Sequence, residues 1–409
     1  MLISGAFGVM AAQLNPGVTQ LKIEKLVYGG EGLSRTDGEV IFTPFVLPGE
    51  LVEAERSGSR HHAERADLVR VLETSPDRVD PRCPYFFRCG GCHYQHASYD
   101  AQLRLKRSIL AETLRRAGKI EYDLDRIRVI ASEPYGYRNR SQFHIENGRI
   151  GYREMRSHKL VAIKECPISS PKINEVIVAL NRLIRDRRWP RFVSSIEVFT
   201  DEQQVQWNVR AASQPVARRF FEWLAEEVPG SVAGPLEYTV GEDRFLISGD
   251  SFFQVNRFVL LAVAEAAIGD ATGDLAWDLY AGVGLFSLPL SRRFGEVIAV
   301  EAGASAARDL EKNVALAIRD TAEKFLATEH DRSPDLVLAD PPRSGVGKVV
   351  VEKLLGIRPR TLVIVACDPA TLARDLSLLR EAYDIDEITL ADLFPQTFHI
   401  ETIARLTLR

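Results

Sequence analysis

The sequence predicts an α/β protein whose C-terminal domain is doubly wound around a mainly parallel sheet. From about residue 236, apolar runs that resemble strands alternate with helical stretches, which is the pattern of such a domain. Residues 17–72 instead contain short β-branched runs between turn signals, which favours a small OB-like β-barrel. We therefore predict a flexible tail at 1–16, a β-barrel at 17–72, a central α+β domain at 73–235 and the doubly wound domain at 236–409.

The composition is that of an ordinary globular chain. Its 409 residues are 45% hydrophobic and 26% charged, which excludes a mostly disordered or fibrous protein. No uncharged apolar stretch approaches about 18 residues, so we expect no membrane span. The first residues lack a basic leading region, which favours a tail over a signal peptide. An odd count of five cysteines argues against a disulfide scaffold. We expect a cytoplasmic monomer.

Two basic clusters lie in the central region of a chain whose formal net charge is −4. Residues 101–118 predict an amphipathic helix with an apolar side, and residues 182–191 form a second basic run. Each cluster is either a solvated helix face or a local patch that contacts nucleic-acid phosphates. The apolar side of the first helix carries Leu103, Ile109, Leu110 and Leu114, and its other side carries Arg104, Lys106, Arg107, Arg115 and Arg116.

Three cysteines fall within ten residues, in the pattern C-x5-C-G-G-C formed by Cys83, Cys89 and Cys92. Cys166, followed by Pro167, is a natural fourth ligand. Four thiolates suit zinc or an iron–sulfur cluster. Structural zinc usually takes two C-x2-C pairs, whereas three close ligands and one distant ligand favour a cubane iron–sulfur cluster.

The first turn of the doubly wound domain runs from Asp278 through Gly282 and Gly284. Glycines let the backbone approach a ligand there, and Glu301 ends the next strand, where a carboxylate can accept ribose hydroxyls. A nicotinamide dehydrogenase would share these features. Ser287 replaces the third glycine of G-x-G-x-x-G, which favours S-adenosylmethionine because that cofactor has no pyrophosphate.

Three further residues stand at strand ends of this domain. Asp340 begins an Asp-Pro-Pro-Arg turn, which stiffens a loop beside the cofactor crevice. Cys367 follows the next strand, where it is either a nucleophile or a small buried apolar residue. Glu401 lies in an otherwise apolar strand, where a carboxylate has either a chemical task or an arginine partner.

Together these motifs resemble the RNA uracil-C5 methyltransferase family, in its branch with a TRAM domain and an iron–sulfur cluster. The resemblance spans residues 17–409 and implies a Rossmann-like class I methyltransferase domain. In the glycine turn the chain departs from the family's common pattern at Ala281 and Leu285, and after the predicted nucleophile it has Asp368. The motifs that carry the resemblance are CPYFFRCGGCHYQ, YRNRSQFHI, SFFQVN, DLYAGVGLFSLPL, LADPPRSG, ACDPATLARD and FPQTFHIETIARL.

The resemblance implies a role for each candidate residue. It makes Cys367 the nucleophile that adds to uracil C6 and Glu401 the base that removes the C5 proton. It makes Cys83, Cys89, Cys92 and Cys166 the ligands of a [4Fe-4S] cluster, expected to support the fold or RNA docking. The residues that contact S-adenosylmethionine would be Gln254, Tyr280, Glu301, Asp320 and Asp340.

The implied substrate is RNA, with 23S ribosomal RNA favoured and transfer RNA as the alternative. The target base would have to be flipped out of its stack to reach the pocket. A rival from another class is a non-catalytic RNA-binding protein that keeps a relic cofactor pocket. The presence of both Cys367 and Glu401 speaks against that rival.

Overall fold

A computed structural model describes residues 17–36, 38–60, 63–328 and 330–409. They form two compact units, residues 17–80 with 96–98 and residues 81–95 with 99–409. The predicted tail at 1–16 lies outside the described residues. Within these ranges, no helix is long and apolar enough to cross a membrane. The boundaries predicted at residues 72 and 235 stay predictions.

The first unit is a six-stranded sheet that closes on itself. The first two strands, β1 and β2, are separated by two residues yet lie at opposite ends of the order β1-β5-β6-β4-β3-β2, so the N-terminal segment joins both edges of the sheet. Leu21, Ile41 and Val52 lie in its interior. The strands are β1 (Val18–Lys22), β2 (Lys25–Leu26), β3 (Glu31–Thr36), β4 (Glu39–Pro44), β5 (Leu51–Arg60) and β6 (Ala63–Glu73).

The second unit begins with the cysteine segment and a long helix, followed by a mixed sheet of order β10-β9-β8-β11-β12-β13 and a separate hairpin. Ser170 accepts a hydrogen bond from the Ile173 N–H and so caps the second helix, where Pro171 takes the first helical position. The elements are α1 (Tyr99–Gly118), β7 (Arg128–Ile130), β8 (Arg140–Glu146), β9 (Arg149–Arg153), β10 (Leu160–Ala162), α2 (Pro171–Leu183), β11 (Val193–Thr200), β12 (Val205–Ala212), α3 (Arg218–Glu227), β13 (Ser231–Val232), β14 (Leu236–Val240) and β15 (Asp243–Ile247).

The doubly wound part confirms the alternation read from the sequence. Its central strands, residues 273–279, 336–339 and 361–366, are buried on both faces along most of their length, as their continuous apolar runs require. Asp368 accepts hydrogen bonds from the N–H groups of Ala370 and Thr371, so it caps the helix that follows Cys367. The elements are α4 (Leu260–Ile268), β16 (Gly273–Leu279), α5 (Ser287–Ser291), β17 (Phe294–Val300), α6 (Ala304–Asn313), β18 (Ala317–Ile318), α7 (Ala322–Phe325), β19 (Leu336–Ala339), α8 (Lys348–Ile357), β20 (Thr361–Ala366), α9 (Pro369–Leu379), β21 (Tyr383–Ala391) and β22 (Glu401–Leu408).

The main sheet has the strand order β18-β17-β16-β19-β20-β22-β21-β7. Its strands run parallel except β22, which is antiparallel to both β20 and β21. The order reverses between β16 and β19, and in open α/β sheets ligands bind at the carboxyl ends of strands beside such a switch point. The edge strand β7 comes from the region before residue 235, so the central part of the chain also contributes to this sheet.

Helix α1 forms where the sequence predicts it, but one of its basic residues was placed on the wrong side. Lys106 is fully buried, and its Nζ lies 2.6 Å from Asp392 Oδ1, which is also fully buried. Its position four residues after the buried Gln102 and four before Leu110 puts it on the buried face. The apparent basic stripe therefore includes a residue that contacts the core.

The second basic cluster, residues 182–191, is partly neutralised by acidic residues. Arg182 and Arg188 both pair with Glu227 of helix α3, at 2.8 and 3.0 Å. Arg188 also pairs with Asp186, and Trp189 is buried. For these two arginines the structure favours a local role in joining helices. Phosphate contact by the rest of the cluster stays a prediction.

Candidate active site

The glycine turn follows β16 at the carboxyl edge of the main sheet. Tyr280, Gly282 and Gly284 all have positive φ, at 61°, 59° and 100°. A Cβ on Gly284 would lie 3.0 Å from the Val314 side chain, so both the backbone conformation and the space favour glycine there. The Gly282 N–H donates to Glu301 Oε2 at 2.9 Å, which fixes the turn to the end of the next strand.

The predicted cofactor residues Glu301 and Asp320 follow neighbouring parallel strands. The pairing of Val300 with Ile318 brings the ends of β17 and β18 together, and the Glu301 N–H donates to the Ile318 carbonyl at 3.0 Å. Asp320 Oδ1 accepts a hydrogen bond from the Thr321 N–H at 2.8 Å. Both carboxylates therefore lie at the same edge as the glycine turn.

Two further carboxyl groups lie beside the turn, Asp278 buried and Asp340 half-buried. Burial and the charges of Asp340 and Glu301 together raise the pKa of Asp278 to about 7, against a hydrogen bond that the Ser287 hydroxyl donates to this carboxyl. Burial also raises the pKa of Asp340, against a hydrogen bond from the Gln254 side chain. A cluster of mutually repelling acids favours a cation in the crevice.

Cys367 and Glu401 lie next to the last paired residues of two neighbouring strands. Strands β20 and β22 are antiparallel and pair Ala366 with Thr402; Cys367 directly follows Ala366, and Glu401 directly precedes Thr402. The charge of Glu401 contributes to the raised pKa of the Cys367 thiol, so the two side chains are close enough to interact. Glu401 also pairs with Ala391 on its other side, which fixes the register of β22.

The positive charge of Arg343 also influences both Cys367 and Glu401. Burial and the charges of Glu401 and Asp340 raise the pKa of Cys367 to about 11, and Arg343 opposes the shift. Burial and the charge of Asp340 raise the pKa of Glu401, and Arg343 again opposes the shift. The structure thus brings Cys367, Glu401 and Asp340 into one neighbourhood, while their roles stay predictions.

Sequence reasoning missed Arg343 and the anchor of its loop. The sequence predicts a role for Asp340 at the start of the Asp-Pro-Pro-Arg turn but none for Arg343, although a cation close to an acid at a strand end is a readable signal. Its loop is attached to helix α9, because the Val346 N–H donates to the buried Asp375 Oδ2 at 2.8 Å. Arg374 donates to the Ser344 carbonyl at 2.7 Å.

The four predicted metal ligands come close enough to influence one another. Burial raises the pKa values of Cys83, Cys89 and Cys92, and the negative charge of Cys166 adds to each shift. In the described ranges, however, no group of three or more His, Cys, Asp or Glu side chains is arranged to hold a metal ion. The thiols thus share one neighbourhood without forming a ready-made site.

The cysteine segment, residues 83–95, lies against the segment that leads to Glu401. The N–H groups of His93 and Tyr94 both donate to the Gln396 carbonyl, at 2.8 and 2.9 Å. The rings of His93 and Phe398 are 4.6 Å apart. Although the cysteines are distant from the glycine turn in sequence, the fold brings their segment to the connection before Glu401.

Comparison with known proteins identifies the family to which this chain belongs. A family model described as tRNA (uracil-5-)-methyltransferase matches residues 236–408. An uncharacterised RNA methyltransferase of Aquifex aeolicus is 34% identical, over 95% of this chain and 98% of that protein. The chain belongs to the RNA uracil-C5 methyltransferase family. This methyltransferase is also 31% identical to an RNA methyltransferase of Halalkalibacterium halodurans, over 96% of this chain and 97% of the other.

A solved structure resembles the fold of this methyltransferase. It is the tRNA (uracil-54, C5)-methyltransferase of Pyrococcus abyssi in complex with S-adenosyl-L-homocysteine. The TM-score is 0.74, the identity is 24%, and the match covers 95% of this chain and 100% of the other. At that identity the likeness shows a shared fold across nearly the whole chain.

Proposed function

We propose that this methyltransferase transfers a methyl group from S-adenosylmethionine to carbon 5 of uracil in RNA, through a covalent adduct between Cys367 and carbon 6. The observation that carries the proposal is the placement of Cys367 and Glu401 beside the last paired residues of β20 and β22, where both interact electrostatically with Asp340. A nucleophile and a base on facing strands can act on the two adjacent carbons of one ring.

The reaction follows from the electronics of uracil, whose C5 is too weak a nucleophile to take a methyl group directly. The Cys367 thiolate adds to C6, and the electrons of the C5–C6 double bond make C5 part of an enolate. C5 attacks the sulfonium methyl, and S-adenosylhomocysteine leaves. Glu401 then removes the C5 proton, the double bond reforms and the thiolate is expelled.

The crevice beside the glycine turn supports S-adenosylmethionine as the methyl donor. Glu301 and Asp320 stand at neighbouring strand ends, where a carboxylate can accept ribose hydroxyls. Burial raises the pKa values of Asp278 and Asp340, and the charges of Asp340 and Glu301 add to the shift of Asp278, so a sulfonium cation would be favoured beside these carboxyl groups. Tyr280 lies in the same turn with positive φ. The Pyrococcus abyssi structure with this fold holds the demethylated product of the cofactor.

We propose 23S ribosomal RNA as the substrate, because the sequence resembles the branch with a TRAM domain and an iron–sulfur cluster. The closed sheet of residues 18–73 supports a TRAM-like barrel, a small β fold of the kind that binds RNA. Transfer RNA is the second candidate. It is favoured by the description of the matching family model and by the substrate named for the Pyrococcus abyssi enzyme.

We also propose that the four cysteines hold a [4Fe-4S] cluster. The donor set fits, since four thiols are near one another; burial and the charge of Cys166 raise the pKa values of the other three, and a cluster would favour the deprotonated forms of its ligands. Gly90 and Gly91 leave the backbone between two of them without side chains. Cys83, Cys89, Cys92 and Cys166 would be the ligands, and the cluster would supply a cross-link between distant parts of the chain.

The experiment that tests the function maps 5-methyluridine in ribosomal and transfer RNA from a strain that lacks the gene. One modified uridine should disappear, and the wild-type gene should restore it, whereas a gene encoding Cys367→Ala should not. Loss from 23S ribosomal RNA supports the first candidate and loss from transfer RNA the second. Unchanged 5-methyluridine in both RNA classes would contradict the proposed function.

A further inference from the structure

The connection between β21 and β22, residues 392–400, determines where the base Glu401 stands. Strand β21 ends at Ala391 and β22 begins at Glu401, so these nine residues set the register of β22. A slip of one residue would turn the Glu401 side chain to the other face of the sheet. Whatever holds this connection therefore also holds the carboxylate.

A buried amide pair holds the middle of the connection. Gln102 of helix α1 is fully buried, and its Oε1 accepts a hydrogen bond from the Gln396 N–H at 2.9 Å. Its Nε2 donates to Gln396 Oε1 at 3.0 Å and to the Tyr94 carbonyl at 3.2 Å. One side chain thus joins the helix, the cysteine segment and the connection.

The cysteine segment binds the same residue from another direction. The N–H groups of His93 and Tyr94 both donate to the Gln396 carbonyl. Gln396 is 2% exposed and has a positive φ of 67°, a conformation that costs energy for a residue with a side chain. A strained backbone conformation persists only where surrounding contacts enforce it. The N–H of Gln396 is bound by helix α1, and its carbonyl is bound by the cysteine segment.

The rest of the connection is anchored by other parts of the chain. Lys106 Nζ donates to the Phe394 carbonyl at 3.0 Å, and the Tyr137 hydroxyl donates to the Pro395 carbonyl at 3.0 Å. Asn256, two residues after Gln254, donates to the Leu393 carbonyl at 3.0 Å. By contrast, Cys367 is placed by strand β20 and the capped helix α9, which do not pass through Gln396.

We infer that Gln102, with the backbone of the cysteine segment, is a positioning residue for Glu401. This inference rests on the proposed function, in which Glu401 removes the C5 proton. Gln102 is fully buried and would act through Gln396 on the start of β22. The cysteine segment thereby acquires a role in aligning the base, beyond supporting the fold or RNA docking. Loss of the amide pair slows proton removal and leaves the earlier attack by Cys367 nearly unchanged.

The test separates these two steps in the full-length protein. RNA with 5-fluorouridine reports the steps before proton removal, because fluorine cannot leave as a cation and the adduct accumulates. RNA with 5-deuterouridine reports proton removal through the isotope effect on turnover. The variant is Gln102→Leu. The matched control is Gln206→Leu, which replaces another buried glutamine that donates to two backbone carbonyls, those of Gly234 and Ile247.

For Gln102→Leu we expect turnover to fall about tenfold to a hundredfold, as for a displaced catalytic group. The isotope effect should rise, and an adduct on ordinary RNA should become visible on denaturing gels. The rate of 5-fluorouridine adduct formation should stay within about twofold of wild type. Gln206→Leu should change none of these. The inference would be overturned if Gln102→Leu slowed turnover and 5-fluorouridine adduct formation equally, or if it left the isotope effect on turnover unchanged.

A second variant covers the case in which Gln102→Leu does not fold. Gln396→Gly keeps the backbone bonds and suits the positive φ, but it removes the side-chain half of the amide pair. It should show the same split between adduct formation and turnover. If wild-type protein itself formed no 5-fluorouridine adduct, the proposed function would fail. If the wild-type protein formed the adduct but Gln102→Leu and Gln396→Gly both left the isotope effect unchanged, the positioning role would be wrong and the proposed function would stand.

Discussion

Cys367 and Glu401 lie near each other because β20 and β22 are antiparallel neighbours whose pairing ends with Ala366 and Thr402. Cys367 directly follows β20 and Glu401 begins β22, and strand β21 lies between these two strands in sequence. Since both residues lie at the edge that carries the glycine turn and Asp340, one uracil ring in the crevice would meet both the proposed nucleophile and the proposed proton acceptor.

The two proposed catalytic residues should fail differently when they are replaced. Cys367→Ala should bind RNA but form no covalent adduct. Glu401→Gln should still permit thiolate addition and methyl transfer, because both precede proton removal, and it should accumulate an adduct that survives denaturing gels. The measurement is a gel-shift assay with labelled RNA and S-adenosylmethionine. Full methylation activity in Cys367→Ala would refute the covalent mechanism.

Replacing the carboxylates at the strand ends should weaken the affinity for S-adenosylmethionine and leave the affinity for RNA nearly unchanged. Glu301→Ala and Asp340→Ala should each weaken S-adenosylmethionine binding by about 1.5–3 kcal/mol, the range for hydrogen bonds to charged groups. RNA affinity should stay nearly unchanged. Calorimetric titration gives the cofactor affinity, and Glu381→Ala, which alters an exposed residue on the surface, is the control. Wild-type cofactor affinity in both variants would mean that the crevice is misplaced.

Adduct formation should depend on pH through the Cys367 thiol. Because burial and the charges of Glu401 and Asp340 raise the pKa of this thiol to about 11, it is mostly protonated near neutral pH. The thiolate fraction, and with it the initial rate on 5-fluorouridine RNA, should therefore rise about tenfold per pH unit below that value.

Replacing Arg343 should move this pH dependence. Arg343 lowers the pKa of Cys367, so Arg343→Ala should shift the rise in adduct formation to higher pH and slow the reaction at neutral pH. Arg332→Ala, which removes an exposed partner of Glu296, should leave the pH profile where it is. A pH-independent rate in wild type, or an unshifted profile in Arg343→Ala, would contradict the assigned environment of the thiol.

Removing one member of the buried Lys106–Asp392 pair should destabilise the protein strongly, whereas replacing both members with apolar residues should destabilise it little. Lys106→Met leaves a buried carboxylate without its cation and should lower the free energy of unfolding by about 3–5 kcal/mol. The double variant Lys106→Met/Asp392→Leu should recover most of that loss. Urea denaturation measures both.

The exposed pair Arg116–Glu112 on the same helix provides the control for this prediction. Arg116→Ala should change the free energy of unfolding by less than about 1 kcal/mol, since surface ion pairs contribute little. A similarly small effect of Lys106→Met would show that the Lys106 ammonium group is solvated and not buried.

The cysteine cluster has a visible test. If the four cysteines hold a [4Fe-4S] cluster, protein purified without oxygen should be brown and should contain iron and acid-labile sulfide. Cys89→Ser should bleach it and reduce solubility, whereas Cys367→Ser, which alters a cysteine outside the cluster, should keep the colour. A colourless wild-type protein with one bound zinc would contradict the cluster.

Much of the architecture could be read from the chain because local patterns report local structure. The sequence predicts strands at the apolar runs 275–281, 335–340 and 361–367, and strands β16, β19 and β20 lie within two residues of these bounds. The apolar run at 314–318 forms only the two-residue strand β18, and Asp320 follows it at the carboxyl edge of the sheet. The pattern of residues 17–72 predicts five short strands, but the structure has six, because the first run breaks between Lys22 and Lys25 and its two parts pair with different neighbours.

The sequence by itself determined which residues are candidates for the chemistry, since glycines in a turn, acids at strand ends and clustered cysteines each have a direct chemical reason. Only the tertiary structure decided which of them meet. The pairing of β20 with β22, the burial of Lys106 against Asp392 and the contact of the cysteine segment with Gln396 all join residues far apart in the chain. Periodicity reports which face of an element is buried, but it carries no information about the partner across a long loop.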